Sequence, residues 1–254
     1  MPETDVLPGA EPWSAEGGPH GALVLHGFTG NPQSMRGLAE AFAGAGFAVE
    51  MPLLPGHGTT LDDMLTTTWD DWSAAAESAY QALAARCDRV VVAGLSMGGT
   101  LTAWLGTRHA DAIAGLVLIN AAIDPPAPEF RRMLQDMLDQ GHTVMPAIGS
   151  DIADPDAKEL AYEGTPIAPL LTLIAADDAI LPRLGDITCP VLIMTSTQDH
   201  VVPPLSSDIL ATKVSGPVER VTLERSYHVA TLDYDKDVIN ESAVDFARKV
   251  TSSA

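Results

Sequence analysis

Ser96 lies at the centre of "GLSMG" (residues 94–98), an instance of the pattern G-x-S-x-G. A β-branched run precedes it and a small-residue pattern of helical period follows, so the serine falls where a strand gives way to a helix. In that context the glycines clear space around the hydroxyl, and the helix N-terminus offers the N–H of Met97 to developing negative charge. The pattern predicts an exposed nucleophile for acyl transfer. A phosphate-binding loop is excluded because neither glycine-rich phosphate motif is present, whereas a purely structural turn stays open.

A second glycine-rich loop, "HGFTG" (26–30), follows the first predicted parallel strand. Acyl transfer needs a second backbone N–H facing the negative oxygen that forms on the attacked carbonyl. Where the nucleophile lies on such a strand-to-helix turn, the loop after the first parallel strand supplies this N–H. The N–H of Phe28 is the candidate. An ordinary glycine-rich turn is the alternative.

A serine hydroxyl is a poor nucleophile unless a histidine, oriented by a carboxylate, takes its proton. When nucleophile, acid and base follow one another in that order, the base lies C-terminal to Ser96, which leaves His142, His200 and His228. His142 comes before every acidic residue that could serve as the acid late in the chain, so it does not fit this order. His228, in "SYHVATLDYD", follows the last predicted strand and is the predicted base.

Asp199, in "STQDHVVPP", follows the predicted strand 189–196 and is the predicted acid. Asp124, in "NAAIDPP", follows the preceding strand and is the rival. If Asp199 is the acid, His200 is a bystander that could stabilise the loop. His57, in "PGHG", is interpreted as a structural turn residue instead of a second base.

Short apolar runs alternate with helical patterns along most of the chain. The runs are near-continuous in Val, Leu and Ile, which indicates strands covered on both faces, as in a parallel sheet. The predicted strands are 21–27, 47–54, 88–94, 115–120, 189–196 and 218–223, and the predicted helices are 34–45, 69–86, 97–109, 205–213 and 236–250. The alternation predicts a mostly parallel, doubly wound α/β sheet.

One interval, from about Asp124 to Pro182, contains no convincing strand and two helical patterns. So long an excursion predicts an inserted helical cap at 124–182, between core segments 1–123 and 183–254. Its apolar residues at helical spacing could line an acyl tunnel or attach the cap to the core; they are Met133, Leu134, Met137, Leu138, Leu170, Leu171 and Ile174.

The composition limits the possible partners. With 46% hydrophobic residues the 254-residue chain can form a sizeable core, and its net charge of −20 disfavours nucleic acid and anionic membrane surfaces. The apolar runs are too short for stable membrane insertion, and the two cysteines form no metal-ligand pattern. The first residues carry neither a basic segment nor an apolar signal region, so a cytoplasmic location is expected.

Several segments together resemble the α/β-hydrolase superfamily, and more closely the bacterial monoacylglycerol lipases and related carboxylesterases. They extend over nearly the whole chain and are "GAEPW", "HGFTGNPQSMRGLAEAFAGAGFAV", "PGHGTTLDDM", "GLSMGGTLT", "INAAID", "IGSDIADPDAKELAYEGTP", "QDHVVPP" and "SYHVATLDYD". The catalytic motifs are common to many hydrolases, whereas the cap segment and "SYHVATLDYD" are more specific. The resemblance implies the α/β-hydrolase fold with an inserted cap.

Carried over residue by residue, the resemblance implies a triad of Ser96, Asp199 and His228, with Phe28 and Met97 forming the oxyanion hole. It also implies that Ile148 and Glu159 bind the glycerol head group, with the Glu159 carboxylate accepting hydroxyl hydrogens. Glu163 takes that role if the cap alignment shifts, and a solvated helix face is the alternative for Glu159.

The expected reaction is therefore hydrolysis of a small acyl ester, a monoacylglycerol, without metal or organic cofactor. A general carboxylesterase with no preference for glycerol is the first alternative. A non-catalytic ligand receptor of the same fold is the remote one. A haloalkane dehalogenase is excluded because its nucleophile position requires Asp. The sequence does not predict the oligomeric state.

Overall fold

The computed structural model describes residues 5–124, 126–147 and 150–252. The strands are β1 (Trp13–Ala15), β2 (His20–Leu25), β3 (Ala48–Met51), β4 (Arg89–Leu95), β5 (Ile113–Ile119), β6 (Val144–Pro146), β7 (Gly164–Pro166), β8 (Val191–Ser196) and β9 (Val218–Leu223). The helices are α1 (Arg36–Gly44), α2 (Leu61–Met64), α3 (Trp69–Ala84), α4 (Met97–Arg108), α5 (Pro128–Asp139), α6 (Ile167–Ile180), α7 (Leu205–Lys213) and α8 (Lys236–Ser252).

Seven strands form one sheet in the order β1-β3-β2-β4-β5-β8-β9. Every neighbouring pair from β3 to β9 is parallel, and β1 alone pairs antiparallel, with β3. The six predicted strands are thus present in a parallel sheet. The sequence did not predict β1, because three residues are too few to show an alternating pattern.

Alternate residues of β4 show why the apolar runs are continuous. Val90 and Val92 belong to the hydrophobic core on one face of the sheet, which includes side chains of α3, α4 and α6. Val91 and Ala93 belong to the core on the other face, under α1 and α8. Both faces are covered by helices, so each position along the strand is apolar, as in a doubly wound sheet.

In its described residues, the chain between β5 and β8 contributes no strand to this sheet. It contains α5 and α6, which the sequence predicted, and also a two-stranded antiparallel ribbon of β6 and β7, which it did not. Each strand of the ribbon has three residues and ends in a proline, so neither gives an alternating pattern. We call residues 124–182 the insertion. In the described ranges, no helix has the length and apolar character needed to cross a bilayer.

Candidate active site

The carboxyl ends of the parallel strands bring the predicted catalytic residues to one edge of the sheet. Phe28 follows β2, Ser96 follows β4 and His228 follows β9, and all three line one cavity of about 570 Å³. Asp199 follows β8 and lies behind His228, with only 2% of its side chain exposed. Ligand sites of open parallel sheets form at this edge because the connecting loops converge there.

Backbone crowding explains the glycines around Ser96. A Cβ at Gly94 would lie 2.0 Å from the Gly98 carbonyl oxygen, and one at Gly98 would lie 2.1 Å from the Leu25 carbonyl oxygen. Ser96 itself has φ 55° and ψ −119°, a conformation that few side-chain-bearing residues adopt. The glycines thus let strand β4 and helix α4 approach closely while the serine points out of the turn.

Hydrogen bonds hold Ser96 in this strained conformation. Its N–H donates to the Ile119 carbonyl at 3.0 Å, and its carbonyl accepts the N–H groups of Thr100 at 3.0 Å and Ala122 at 3.3 Å. A backbone conformation of this kind costs about 1–3 kcal/mol and persists only where its surroundings impose it.

The two predicted oxyanion donors are backbone groups of Phe28 and Met97. Met97 is the first residue of α4, so its N–H has no acceptor within the helix. Phe28 lies in the loop after β2, and its ring packs edge-on against Trp72, with centroids 5.5 Å apart. Their role at the oxyanion stays a prediction.

His228 Nδ1 lies 2.7 Å from Asp199 Oδ2, and both side chains are buried. The other oxygen of Asp199 accepts the N–H groups of Val201 and Val202, each at 2.8 Å. A carboxylate with these bonds holds a proton on Nδ1, so Nε2 of His228 is left as the basic nitrogen. The rival Asp124 lines the cavity, but Asp199 is the acid in contact with the histidine.

Two further polar residues, for which the sequence suggested no role, hold the backbone of His228. Asn120 Nδ2 donates to the His228 carbonyl at 2.8 Å, and the Asn120 carbonyl oxygen Oδ1 accepts the Ser196 N–H at 2.8 Å. Asp151 Oδ2 accepts the His228 N–H at 3.1 Å, while its Oδ1 lies 2.8 Å from His200 Nδ1. His200 is thus bonded to the insertion and stabilises the loop, the role that the sequence left open for it.

Asp233 ties the histidine loop to the insertion. Its Oδ2 accepts the N–H groups of Tyr227 at 2.9 Å and Ala153 at 2.7 Å, and its Oδ1 accepts the Asp154 N–H at 3.0 Å. The carboxylate is fully buried. The sequence signal for this role of Asp233 is the acidic segment "LDYD" after the histidine, because acidic side chains often accept hydrogen bonds from the N–H groups of turns.

His26 and His57 are buried and do not line the cavity that holds Ser96. Burial lowers the pKa of His26 to about 4. Burial, and to a smaller extent the charge of His26, lowers the pKa of His57 to about 3. His26 Nε2 accepts the Leu54 N–H at 3.1 Å, and His57 Nδ1 lies 3.0 Å from the Pro55 carbonyl. Both are neutral near pH 7. His26 bridges two loops, whereas His57 bonds within its own turn, in agreement with its interpretation as a turn residue.

Glu159 lines the same cavity as Ser96 and His228. Burial raises its pKa above the usual range, although His228 and the Ser150 N–H act in the opposite direction. A Cβ at Gly30 would lie 2.7 Å from Glu159 Oε1, so this glycine makes room for the carboxylate.

The Gln33 side chain holds the backbone on both sides of Glu159. Gln33 Nε2 donates to the Lys158 carbonyl and its Oε1 accepts the Leu160 N–H, both at 3.0 Å. Glu163, the alternative, is exposed and does not line the cavity. The predicted Ile148 lies outside the described residues.

The apolar residues predicted for the insertion do not share a single role. Leu170 and Ile174 line the cavity, together with Phe130 from α5. Leu134 is fully buried in the core, whereas Met133 is 43% exposed. Helical spacing alone could not separate these roles, because it does not say which face of a helix meets the cavity.

With this geometry established, comparison with known proteins decides the family. The model of the "Alpha/beta hydrolase family" matches residues 22–241. The chain belongs to the alpha/beta hydrolase family. The predicted family and the predicted α/β-hydrolase fold are thereby confirmed.

Three relatives of this α/β hydrolase are described as lipolytic or esterolytic enzymes. It is 50% identical to a thermostable monoacylglycerol lipase of Bacillus sp. (strain H-257), over 96% of each chain. It is 25% identical to a carboxylesterase of Bacillus subtilis (strain 168), over 94% of this chain and 97% of that one. A solved structure from work on LipS and LipT, two metagenome-derived lipolytic enzymes, superposes with a TM-score of 0.92 at 44% identity, covering 96% of this chain and 100% of the other.

Proposed function

We propose that this α/β hydrolase is a serine esterase that cleaves monoacylglycerols into a fatty acid and glycerol. The observation that carries the proposal is the position of the Glu159 carboxyl in the cavity that holds Ser96 and His228. One cavity thus offers a nucleophile, a base and a polar group for hydroxyls. The 50% identity to a protein described as a monoacylglycerol lipase supports the same substrate.

In the first step, Ser96 Oγ attacks the ester carbonyl carbon while its proton passes to His228 Nε2. The carbonyl oxygen becomes an oxyanion, which accepts hydrogen bonds from the N–H groups of Phe28 and Met97. Asp199 stabilises the imidazolium through the 2.7 Å contact with Nδ1. The tetrahedral intermediate then collapses, the imidazolium protonates the departing glycerol oxygen, and the acyl group stays on Ser96.

In the second step, His228 takes a proton from water, and the hydroxide attacks the acyl carbon. Collapse of the second tetrahedral intermediate returns the proton to Ser96 and releases the fatty acid. His228 carries every transferred proton: the Ser96 proton reaches the departing glycerol, and a proton from water replaces it on Ser96.

Two substrate subsites follow from the composition of the cavity wall. Glu159 is proposed to accept hydrogen bonds from the glycerol hydroxyls, held in place by Gln33. Phe130, Leu170 and Ile174 provide an apolar surface for the acyl chain. Each buried CH₂ of that chain contributes about 0.8 kcal/mol to binding.

The division of the chain into a core and a cap, predicted from the sequence, is part of the same proposal. Residues 124–182 act as a cap on a core of residues 1–123 and 183–254, because the insertion supplies the apolar wall and Glu159. A cytoplasmic location stays a prediction from the sequence.

A substrate panel tests the function. We expect kcat/KM to be highest for monoacylglycerols, lower for methyl esters of the same acyl chain, and lowest for di- and triacylglycerols, because each further acyl chain must also be accommodated at a cavity of about 570 Å³. Equal rates on monoacylglycerols and matched methyl esters would indicate the second candidate, a general carboxylesterase. The relative described as a carboxylesterase supports that candidate at 25% identity. Failure of an organophosphonate to label Ser96 would contradict both.

A further inference from the structure

One wall of the substrate cavity contains an acidic side chain that the proposed reaction does not use. Leu170, Leu173, Ile174 and Asp177 all line the cavity. Their spacing of i, i+3, i+4 and i+7 places them on a single face of α6. Three of these positions are apolar, as an acyl-binding surface requires, and the fourth is an aspartate, about 10 Å along the helix from Leu170.

The carboxyl of Asp177 is buried and incompletely bonded. The residue is 4% exposed, and no described donor or acceptor lies within hydrogen-bond distance of its buried Oδ1. Leaving such an atom unpaired costs about 1–3 kcal/mol, so a buried polar group without a partner points to a ligand or a water molecule.

The basic side chain whose charge acts on Asp177 is engaged elsewhere. Arg131, on α5, donates to Asp178 through both terminal nitrogens, with a distance of 2.8 Å from Nη2 to Oδ1. Burial, reinforced by the neighbouring charges of Asp178 and Asp124 and opposed by that of Arg131, raises the pKa of Asp177 to about 8. The side chain is therefore a neutral carboxylic acid near pH 7, which both donates and accepts hydrogen bonds.

A second polar group in the cavity is also without a partner. Ser206, at the start of α7, lines the cavity and is 1% exposed, and its Oγ has no hydrogen-bond partner in the described structure. A cavity for a plain hydrocarbon chain has no use for two such groups, because dry apolar cavities are lined by apolar atoms.

We propose that Asp177 forms a subsite for a hydroxyl group on the acyl chain, so that the cavity selects hydroxylated acyl esters over plain ones. The inference rests on the proposed function, since the acyl chain must enter this cavity from Ser96. Asp177 accepts the hydroxyl hydrogen on its carbonyl oxygen and donates its own proton to the hydroxyl oxygen or to a water beside it. No bond to carbon changes at this subsite.

The test is a hydroxyl scan on two leaving groups. Dodecanoyl esters, plain or with one hydroxyl at successive chain positions, are prepared both as glycerol monoesters and as nitrophenyl esters, and kcat/KM is measured at pH 7. We expect one or two hydroxyl positions to exceed the plain chain by about 5- to 30-fold, because a site built for a hydroxyl rejects a ligand that lacks it. We expect Asp177→Leu to abolish this preference and to accelerate the plain chain.

Two further variants serve as controls. Asp177→Asn keeps the shape and a neutral hydrogen-bonding group, and we expect it to retain part of the preference even if the leucine variant folds poorly. Asp136→Asn removes an exposed carboxylate of α5, and we expect it to keep the full preference.

Each outcome has a defined meaning. If no hydroxyl position exceeds the plain chain in the unmodified protein, or if the preference persists in Asp177→Leu, the subsite is refuted and Asp177 binds only water. If the preference appears on nitrophenyl esters while glycerol esters react poorly, the hydroxyl subsite stands and the proposed monoacylglycerol function fails.

Discussion

Asp151 of the insertion accepts the backbone N–H of His228 at 3.1 Å, although the two residues are 77 positions apart. The same carboxylate binds His200, in the loop that carries the proposed acid Asp199. One side chain of the insertion therefore holds the loops of both the proposed base and the proposed acid. The insertion contributes to the positions of these residues as well as to the walls of the cavity.

Removing this carboxylate should impair catalysis on every ester. We expect Asp151→Ala to lower kcat about 10- to 100-fold on glycerol and nitrophenyl esters alike, because small displacements of a base are costly. His200→Ala is the matched control: it removes the side-chain contact with Asp151 but keeps the Asp151–His228 bond, and it should lower kcat less than 5-fold. Equal effects of the two variants would show that the Asp151–His228 bond is unimportant.

The pairing of His228 with Asp199 predicts which acid serves the triad. We expect Ser96→Ala and His228→Ala to lower kcat by about 10⁴- to 10⁶-fold, and Asp199→Asn by about 10⁴-fold, because Asn would favour the wrong tautomer of the histidine. Asp124→Asn, which alters the rival acid, should change kcat less than 10-fold. Steady-state kinetics on a nitrophenyl ester measure all four, with circular dichroism as the test of folding. The reverse ranking of Asp199→Asn and Asp124→Asn would move the acid to Asp124.

Glu159 and its support Gln33 should affect only substrates that carry glycerol. We expect Glu159→Ala to lower kcat/KM on a monoacylglycerol about 10- to 100-fold and on the matched nitrophenyl ester less than 3-fold, because the lost hydrogen bonds are those to hydroxyls. Gln33→Ala should show the same selectivity with a smaller loss, since Glu159 remains but its backbone is released. A parallel loss on both esters would instead place Glu159 in the support of His228.

The parts of the site that the sequence predicted are those encoded by local patterns and chain order. Ser96 is predicted as the nucleophile because strand, glycines and helix adjoin it, and His228 is predicted as the base because it follows the last strand. The contact between Asp151 and His228 joins segments 77 residues apart through an irregular stretch, which shows no periodicity. Asp177 lies in an apolar helix whose sequence does not reveal which face meets the cavity. Long-range contacts and helix orientation therefore required the structure.

The glycines around Ser96 should tolerate no side chain. A Cβ at Gly94 would lie 2.0 Å from a backbone oxygen, which cannot move without displacing α4, so we expect Gly94→Ala to destabilise the fold by at least about 4 kcal/mol. Gly44→Ala is the control: a Cβ there has no atom within 4 Å and lies at the end of α1, where alanine favours the helix. Thermal unfolding measures both variants. A Gly94→Ala protein as stable as Gly44→Ala would mean that strand and helix are not so close.

The raised pKa of Asp177 predicts how stability depends on pH. The folded protein keeps this proton up to about pH 8, whereas the unfolded chain releases it above about pH 3.8. The folded state thus binds more protons in this interval, so the contribution of Asp177 to the free energy of unfolding falls as the pH rises from about 4 to about 8 and is constant above that. Asp177→Asn removes the ionisation. We expect its Tm to exceed that of the unmodified protein by roughly 8 °C more at pH 9 than at pH 5. Asp136→Asn should show no such widening of the Tm difference. If the Tm difference between Asp177→Asn and the unmodified protein stays constant across this range, Asp177 titrates normally.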